Sequence, residues 1–277
     1  MTDAIGTQFQ ELRTLDTEGG PLVHRDTGGD GPPVVLLHGG FLDHRMWRAQ
    51  VPALAGTHRV IAPDARGHGG SSVAKAPFRP ADDVAALLAH LGTGPAVLVG
   101  LSMGGATAVD VAVEHPHLVR ALVVSGTGTS EPEWHDPWVL ERQAEQARAL
   151  AAGDAARWIE EFTLYAAGPH RSLDAVDPGV VRLLREMQAH TLAKHTGAEP
   201  DHRVPVADTW ARAAGIDVPV LVLNGELDSD DHHAMAERLV RTVRHGRIER
   251  VTGTAHYPNM ERPDLFNAYL TDFLRSL

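Results

Sequence analysis

The sequence predicts an α/β fold: a mostly parallel sheet flanked by helices and interrupted by one helical insertion. Three observations predict it. Through the first 125 residues, short apolar runs bounded by glycine and proline alternate with helix-like stretches. The alternation stops between about 126 and 216, where only helical patterns occur, and then resumes to the end. The run Ala96-Val97-Leu98-Val99, set between Gly94-Pro95 and Gly100, passes into Ser102 and then into a helix-like stretch from Ala106. A serine therefore stands where a buried strand turns into a helix.

Two short stretches, 9–15 and 21–25, flank Thr17-Glu18-Gly19-Gly20 and read as an edge hairpin. Pro33-Val34-Val35-Leu36-Leu37 is a short buried strand ending at His38-Gly39-Gly40-Phe41, where paired glycines let backbone N–H groups face a ligand. A helix over 43–54 leads to the strand Arg59-Val60-Ile61-Ala62-Pro63, which is closed by Asp64-Ala65-Arg66-Gly67-His68-Gly69-Gly70-Ser71. After a helix over 79–90 come the serine strand, its helix, and a sixth strand over 119–125. The insertion reads as helices over 138–150, 154–166 and 178–195, the last with Val180, Val181, Leu183, Leu184 and Met187 on roughly one face. A strong apolar strand from Val218 to Gly225, a helix over 231–244, a strand over 247–251 and a helix over 263–277 complete the chain, with eight strands in all.

A length of 277 residues with 43% hydrophobic content suffices for one core domain carrying a large insertion. The formal net charge of −11, with acids and bases interspersed, argues against a nucleic-acid or anionic-membrane partner. The absence of cysteine excludes disulfides, thiolate metal sites and a cysteine nucleophile. The N-terminus lacks the basic and apolar regions of a signal peptide and no apolar run approaches a membrane span, so a soluble, cytoplasmic protein is expected.

Gly100, Gly104 and Gly105 remove side chains where a sharp turn brings the backbone against its neighbours, leaving the hydroxyl of Ser102 exposed at the apex. A serine hydroxyl is a poor nucleophile at neutral pH, so it needs a base and a carboxylate that fixes the tautomer of that base. His256, in the loop after the last strand, is the candidate base, and Asp228, in Gly225-Glu226-Leu227-Asp228, is the candidate acid. Asp230 and Asp231 are the competing acids; their position suits opening the next helix and facing solvent. Asp230-Asp231-His232-His233 looks superficially like a metal cluster, but acids at a helix start and surface histidines account for it. His38 reads as a packed hinge and His68 as a loop-holding residue. The oxyanion donors expected are the N–H groups of Met103 and Gly40, with Phe41 as the neighbouring alternative.

His38-Gly39-Gly40, Asp64-x-Arg66-Gly67-His68-Gly69-x-Ser71, Gly100-x-Ser102-x-Gly104, Gly225-x-x-Asp228 and His256 follow one another in the order of a known superfamily. From about residue 20 onward the chain resembles the α/β-hydrolases. The resemblance implies a mostly parallel eight-stranded sheet flanked by helices, a core domain of residues 1–128 and 216–277, and a helical lid at 129–215 inserted after the sixth strand. It is closest to the esterase, enol-lactonase and perhydrolase-like members; Ser102, where dehalogenases and most epoxide hydrolases carry aspartate, disfavours both of those activities. The expected activity is hydrolysis of a small or medium carboxylic ester, lactone or thioester through an acyl-enzyme, with no cofactor and no metal. A carbon–carbon bond hydrolase of the β-diketone type and a non-hydrolytic or ligand-binding protein on the same scaffold are the rival readings. The expected partner is a small-molecule substrate, with a homodimer allowed, and neither nucleic acid nor membrane. Phe41, Trp134, Trp138 and Tyr165 are the expected substrate-binding residues. For Trp158 and Phe162, four apart on one helix, packing within the lid is the better account.

Overall fold

Eight strands form one sheet in the order β1-β2-β4-β3-β5-β6-β7-β8. They are β1 (Arg13–Leu15), β2 (Leu22–Asp26), β3 (Pro33–Leu37), β4 (Arg59–Pro63), β5 (Ala96–Leu101), β6 (Val119–Ser125), β7 (Val220–Gly225) and β8 (Gly246–Val251). β1 pairs antiparallel with β2, and β2 antiparallel with β4; every pairing from β4 through to β8 is parallel. The computed structural model describes residues 11–196 and 200–277. The start of the first expected strand, Phe9 and Gln10, lies outside them.

Parallel strands need crossovers, and helices supply them: α1 (Gln50–Leu54), α2 (Pro80–His90), α3 (Met103–Glu114), α7 (Thr209–Ala213) and α8 (Asp230–Thr242), with three more between β6 and β7, while α9 (Pro258–Glu261) and α10 (Pro263–Arg275) follow the last strand. Both faces of the central strands are buried, which is why those strands read as continuous apolar runs. Val97, Val99 and Leu101 face one core with Leu36, Val60, Leu223, Phe266 and Leu270; Ala96 and Leu98 face the other with Val35, Ile61, Leu88, Ala108 and Leu239. Each such aliphatic side chain contributes about 1.5–3 kcal/mol by leaving water.

The segment between β6 and β7 carries α4 (Pro137–Ala151), α5 (Ala155–Thr163) and α6 (Pro178–Leu192). Each begins at an aspartate whose carboxylate accepts backbone N–H groups of the first turn: Asp136 from Trp138, Asp154 from Arg157, Asp177 from Gly179 and Val180. Pro137 and Pro178 follow their caps at the first helical position, where a missing N–H costs nothing. The apolar face of α6, Val180, Val181, Leu184 and Met187, joins the same core as Leu36 and Val99.

Two expectations need correction. The helix expected over 43–54 is a 3₁₀ turn, His44–Trp47, followed by α1. Pro52 explains the break: its ring would clash with the carbonyl of Arg48 in one continuous helix, whereas near the start of a new helix its missing N–H is harmless. The helix expected over 154–166 ends at Thr163 and tightens into a 3₁₀ turn over Leu164–Ala166. α7 and α9, five and four residues long, are too short to show a period in the sequence. Among the described residues no helix is long and apolar enough to cross a membrane.

Candidate active site

Ser102 stands between β5 and α3 at φ 53° and ψ −117°, a conformation that a non-glycine residue holds only when its surroundings impose it. The surroundings are visible. A Cβ on Gly104 would overlap the carbonyl of Leu37, so only glycine lets α3 start this close to β3. The N–H of Ser102 donates to Ser125 O at 2.7 Å and its carbonyl accepts from Ala106 N–H at 2.9 Å, tying the turn to β6 behind and to the helix ahead. The side chain is half-buried at the wall of a cavity of about 750 Å³, which Met103, Gly40 and Phe41 also line.

Asp228 and His256 meet on the loops that leave β7 and β8. Asp228 Oδ2 accepts from His256 Nδ1 at 2.9 Å, and both side chains are buried. Engaging Nδ1 leaves Nε2 as the nitrogen that can take a proton. The His256 ring lies against Gly126, the residue after Ser125: a Cβ there would sit 2.6 Å from Cε1, and the backbone is left-handed at φ 62°. Ser102 and His256 thus approach the same β6 terminus from two sides. No hydrogen bond joins Ser102 to His256 in this structure. Asp230 is exposed at the start of α8. Asp231 departs from expectation: it is buried, and Oδ2 accepts the N–H groups of His135 and Asp136 at 2.9 Å each, anchoring the start of α4 rather than facing solvent.

A description of the alpha/beta hydrolase fold matches residues 32–263 as a family. The chain belongs to that family. It is similar to a pimeloyl-[acyl-carrier protein] methyl ester esterase of Aromatoleum aromaticum, 32% identical over 254 residues that cover 88% of this chain and 98% of the relative. It is also similar to 3-oxoadipate enol-lactonase 2 of Acinetobacter baylyi, 28% identical over 247 residues and 86% of each chain. Among solved structures, the enol-lactonase from Burkholderia xenovorans LB400 superposes with a TM-score of 0.77 at 27% identity, covering 95% of this chain and all of that one.

In this α/β-hydrolase the electrostatics favour a neutral His256 beside an ionised Asp228. Burial pushes the Asp228 carboxyl upward, but His232 and His256 overcome it and hold the group far below the usual carboxylate range. Burial lowers the His256 imidazole, against the attraction of Asp228. His38 accepts Ala65 N–H at Nε2, 2.8 Å, so its Nδ1 carries the proton shared with Gly39 O at 2.8 Å, and the ring locks the glycine loop to the segment after β4. His68, with Nδ1 3.0 Å from Arg66 O, is driven down to about 3 by burial and is neutral.

Of the expected substrate-binding side chains, Phe41 lines the cavity, with Phe162 beside it, their ring centroids 5.5 Å apart. Trp158 is buried behind both, stacked on Phe162 at 4.9 Å and 20°. Trp134, Trp138 and Tyr165 do not line this cavity; they pack around His232 and His256 instead. Trp138 packs edge-on against Tyr165, Tyr165 lies 5.7 Å from His256, and Trp134 meets His232 edge-on at 5.4 Å. Phe41 itself has φ 57°, the strained member of the glycine loop.

Sequence reasoning missed His232. Expected at the surface, it is buried, with Nδ1 2.8 Å from Asp228 Oδ1. Its signal was the four-residue spacing from Asp228, which places the two side chains on one side of the helix start. Asn224 was missed as well: Oδ1 accepts Gly126 N–H at 2.8 Å and Nδ2 donates to His232 O at 3.3 Å. Asp228, His232 and His256 bring their donor atoms within 4.8 Å of one another, as do Asp43, His44 and Asp64. Both groups are hydrogen-bond networks. Their contacts of 2.8–2.9 Å are the lengths of shared protons, and the carboxylates also accept the backbone N–H groups of Ser229, His44 and Gly70.

Proposed function

We propose that this protein is a serine hydrolase of uncharged, medium-sized carboxylic esters, lactones or thioesters. The observation that carries the reading is the strained Ser102 turn facing a large cavity, beside a hydrogen-bonded Asp228–His256 pair. Ser102 Oγ attacks the carbonyl carbon while His256 Nε2 takes its proton, and Asp228 holds the imidazole tautomer and stabilises the imidazolium. The N–H groups of Met103 and Gly40, which flank the cavity beside Ser102, receive the oxyanion. His256 returns the proton to the departing alkoxide or thiolate, leaving the acyl group on Ser102. Water, deprotonated by the same nitrogen, then releases the acid and restores the serine.

The cavity supports the substrate class. Its volume suits a ligand of medium size, and Leu22, Phe78, Leu87 and Phe162 give it mostly apolar walls. Both of its arginines are already paired, Arg66 with Asp83 at 2.7 Å and Arg203 with Asp201 at 2.9 Å, and His68 is neutral. An apolar acyl or alkyl group is therefore accommodated better than a carboxylate-bearing one. Residues 129–215 act as the lid over a core formed by 1–128 and 216–277, with Leu150, Phe162 and Leu192 among the lid side chains that reach the cavity.

A fluorophosphonate probe should label Ser102, located by peptide mapping. Ser102→Ala should lose the label and at least about three orders of magnitude in turnover of a medium-chain aryl ester, at unchanged melting temperature. Near-normal turnover by the folded variant would overturn the assignment.

A further inference from the structure

Asp228 serves two histidines. Oδ2 accepts from His256 Nδ1 at 2.9 Å, while Oδ1 accepts from His232 Nδ1 at 2.8 Å and from the N–H of Ser229 at 2.9 Å. The triad logic asks for one imidazole on the acid, and this chain supplies a second. His232 sits in the first turn of α8, three residues past the capping Ser229, and side chains there lean back toward the helix start, which delivers its ring to Asp228. The two rings lie 4.4 Å apart, tilted at 35° to one another.

The second ring is held as firmly as the first. Trp134 closes it edge-on at 83°, Tyr165 approaches at 6.2 Å, and Asn224 holds the His232 carbonyl and the Gly126 N–H together. Its Nδ1 touches Ser229 Oγ at 2.8 Å as well as the carboxylate, so the proton on that nitrogen is shared between two acceptors and the tautomer is fixed. The titratable groups that face it are Asp228 from the β7–α8 loop, His256 from the loop after β8 and Tyr165 from the turn after α5. Asp231 adjoins it on its own helix, where its carboxylate is taken by the N–H groups of His135 and Asp136. Tyr165 is neutral, pushed by burial well above its ordinary range.

We propose that His232 is a positioning residue of the acid–base pair: by occupying Oδ1 it aims Oδ2 at His256, and as a second imidazole on the same carboxylate it keeps His256 unprotonated to lower pH. The inference rests on Asp228 and His256 being the catalytic pair. Two consequences separate it from simple packing. A carboxylate with one oxygen tied by Ser229 and His232 cannot swing away from His256, so its hydrogen bond survives the change of charge during attack. A second imidazole 4.4 Å away on the same anion repels an added proton on His256, so His256 stays free as base further into the acid range. The direction agrees with the depressed proton affinity of buried His256, to which His232 adds.

The test is the pH profile of kcat/KM for a short-chain aryl ester, run on the wild type, His232→Asn and His232→Leu, with melting temperatures measured beside it. Asparagine keeps a donor near the Nδ1 position without a second imidazole; leucine keeps neither. His232→Leu should lose about tenfold or more on the plateau. His232→Asn should regain most of that loss, yet both variants should show an acid limb moved upward by about one pH unit. An acid limb at the wild-type position in both variants would overturn the proposal, as would plateau losses that track melting temperature with no rescue by asparagine. Its failure is distinct from failure of the hydrolase reading, which would appear as turnover retained in Asp228→Asn and Ser102→Ala.

Discussion

Three aspartates within four residues of one another have three different fates. Asp228 holds two imidazoles, Asp230 is exposed, and Asp231 pins the start of α4. Asp228→Asn should cut kcat by orders of magnitude with a modest change in KM, because an amide can present its N–H to His256 and stabilise the wrong tautomer. Asp230→Asn should leave both constants near wild type. Asp231→Asn should leave the chemistry but lower the melting temperature, since an amide that turns its nitrogen toward two backbone N–H groups cannot accept from them. Steady-state kinetics with thermal melts decide all three, and a large kcat loss in Asp231→Asn alone would move the catalytic role to that residue. At this scale the sequence was legible where a residue type has one chemical use. Gly104 faces the backbone of β3, and Gly126 would have been readable had the path of His256 been known. His232 was illegible because a histidine in the first turn of a helix has the same local pattern whether it faces solvent or a buried carboxylate.

The elements show the same division. Long periodic segments such as α4 and α6 were legible within a few residues, whereas the break at Pro52 and the short α7 and α9 depend on contacts distant in sequence. The end of α6 has a role that no periodicity encodes. Lys194 Nζ donates to Gly69 O at 2.7 Å and to Ser71 O, His190 Nε2 lies 3.1 Å from Gly69 O, and His195 Nε2 lies 3.0 Å from Gly67 O. The insertion is thereby fastened to the loop after β4 that carries Arg66 and His68 into the cavity wall. Lys194→Met should strip those carbonyls of their cation and speed amide exchange across residues 64–72, while kcat/KM for medium-chain esters falls several-fold more than for acetates. Unchanged exchange in that loop would show that the fastening does not depend on the lysine.

For the molecule as a whole, two buried carboxylates shape the dependence of stability on pH in opposite senses. Burial raises Asp64, but the hydrogen bond and charge of His44 outweigh it and hold the group down to about 2, so its contribution is present above about pH 4 and is lost as pH falls toward 2. Burial pushes Asp110 up to about 6, with Glu114 and Glu131 adding to the rise against the hydrogen bond from Ser130. Its folded form therefore binds more protons than the unfolded chain between about pH 4 and 6, and stability falls across that window as pH rises. Asp110→Asn, which can still pair with Ser130, should raise stability by about 3 kcal/mol at pH 7.5 and by almost nothing at pH 4. A gain of equal size at both values would exclude the titration as its cause.

The sheet order also fixes when the protein can first work. Gly40 follows β3, Ser102 follows β5, Asp228 follows β7 and His256 follows β8, the edge strand that pairs only with β7. The loop that carries Asp228 leans on the last strand and its exit, where Glu226 N–H donates to Val251 O at 3.1 Å and Leu227 N–H to Thr254 O at 2.8 Å. A chain ending upstream of β8 should therefore lack both His256 and the support of the Asp228 loop, so the proposed nucleophile, acid and base are completed together as the domain folds as a unit.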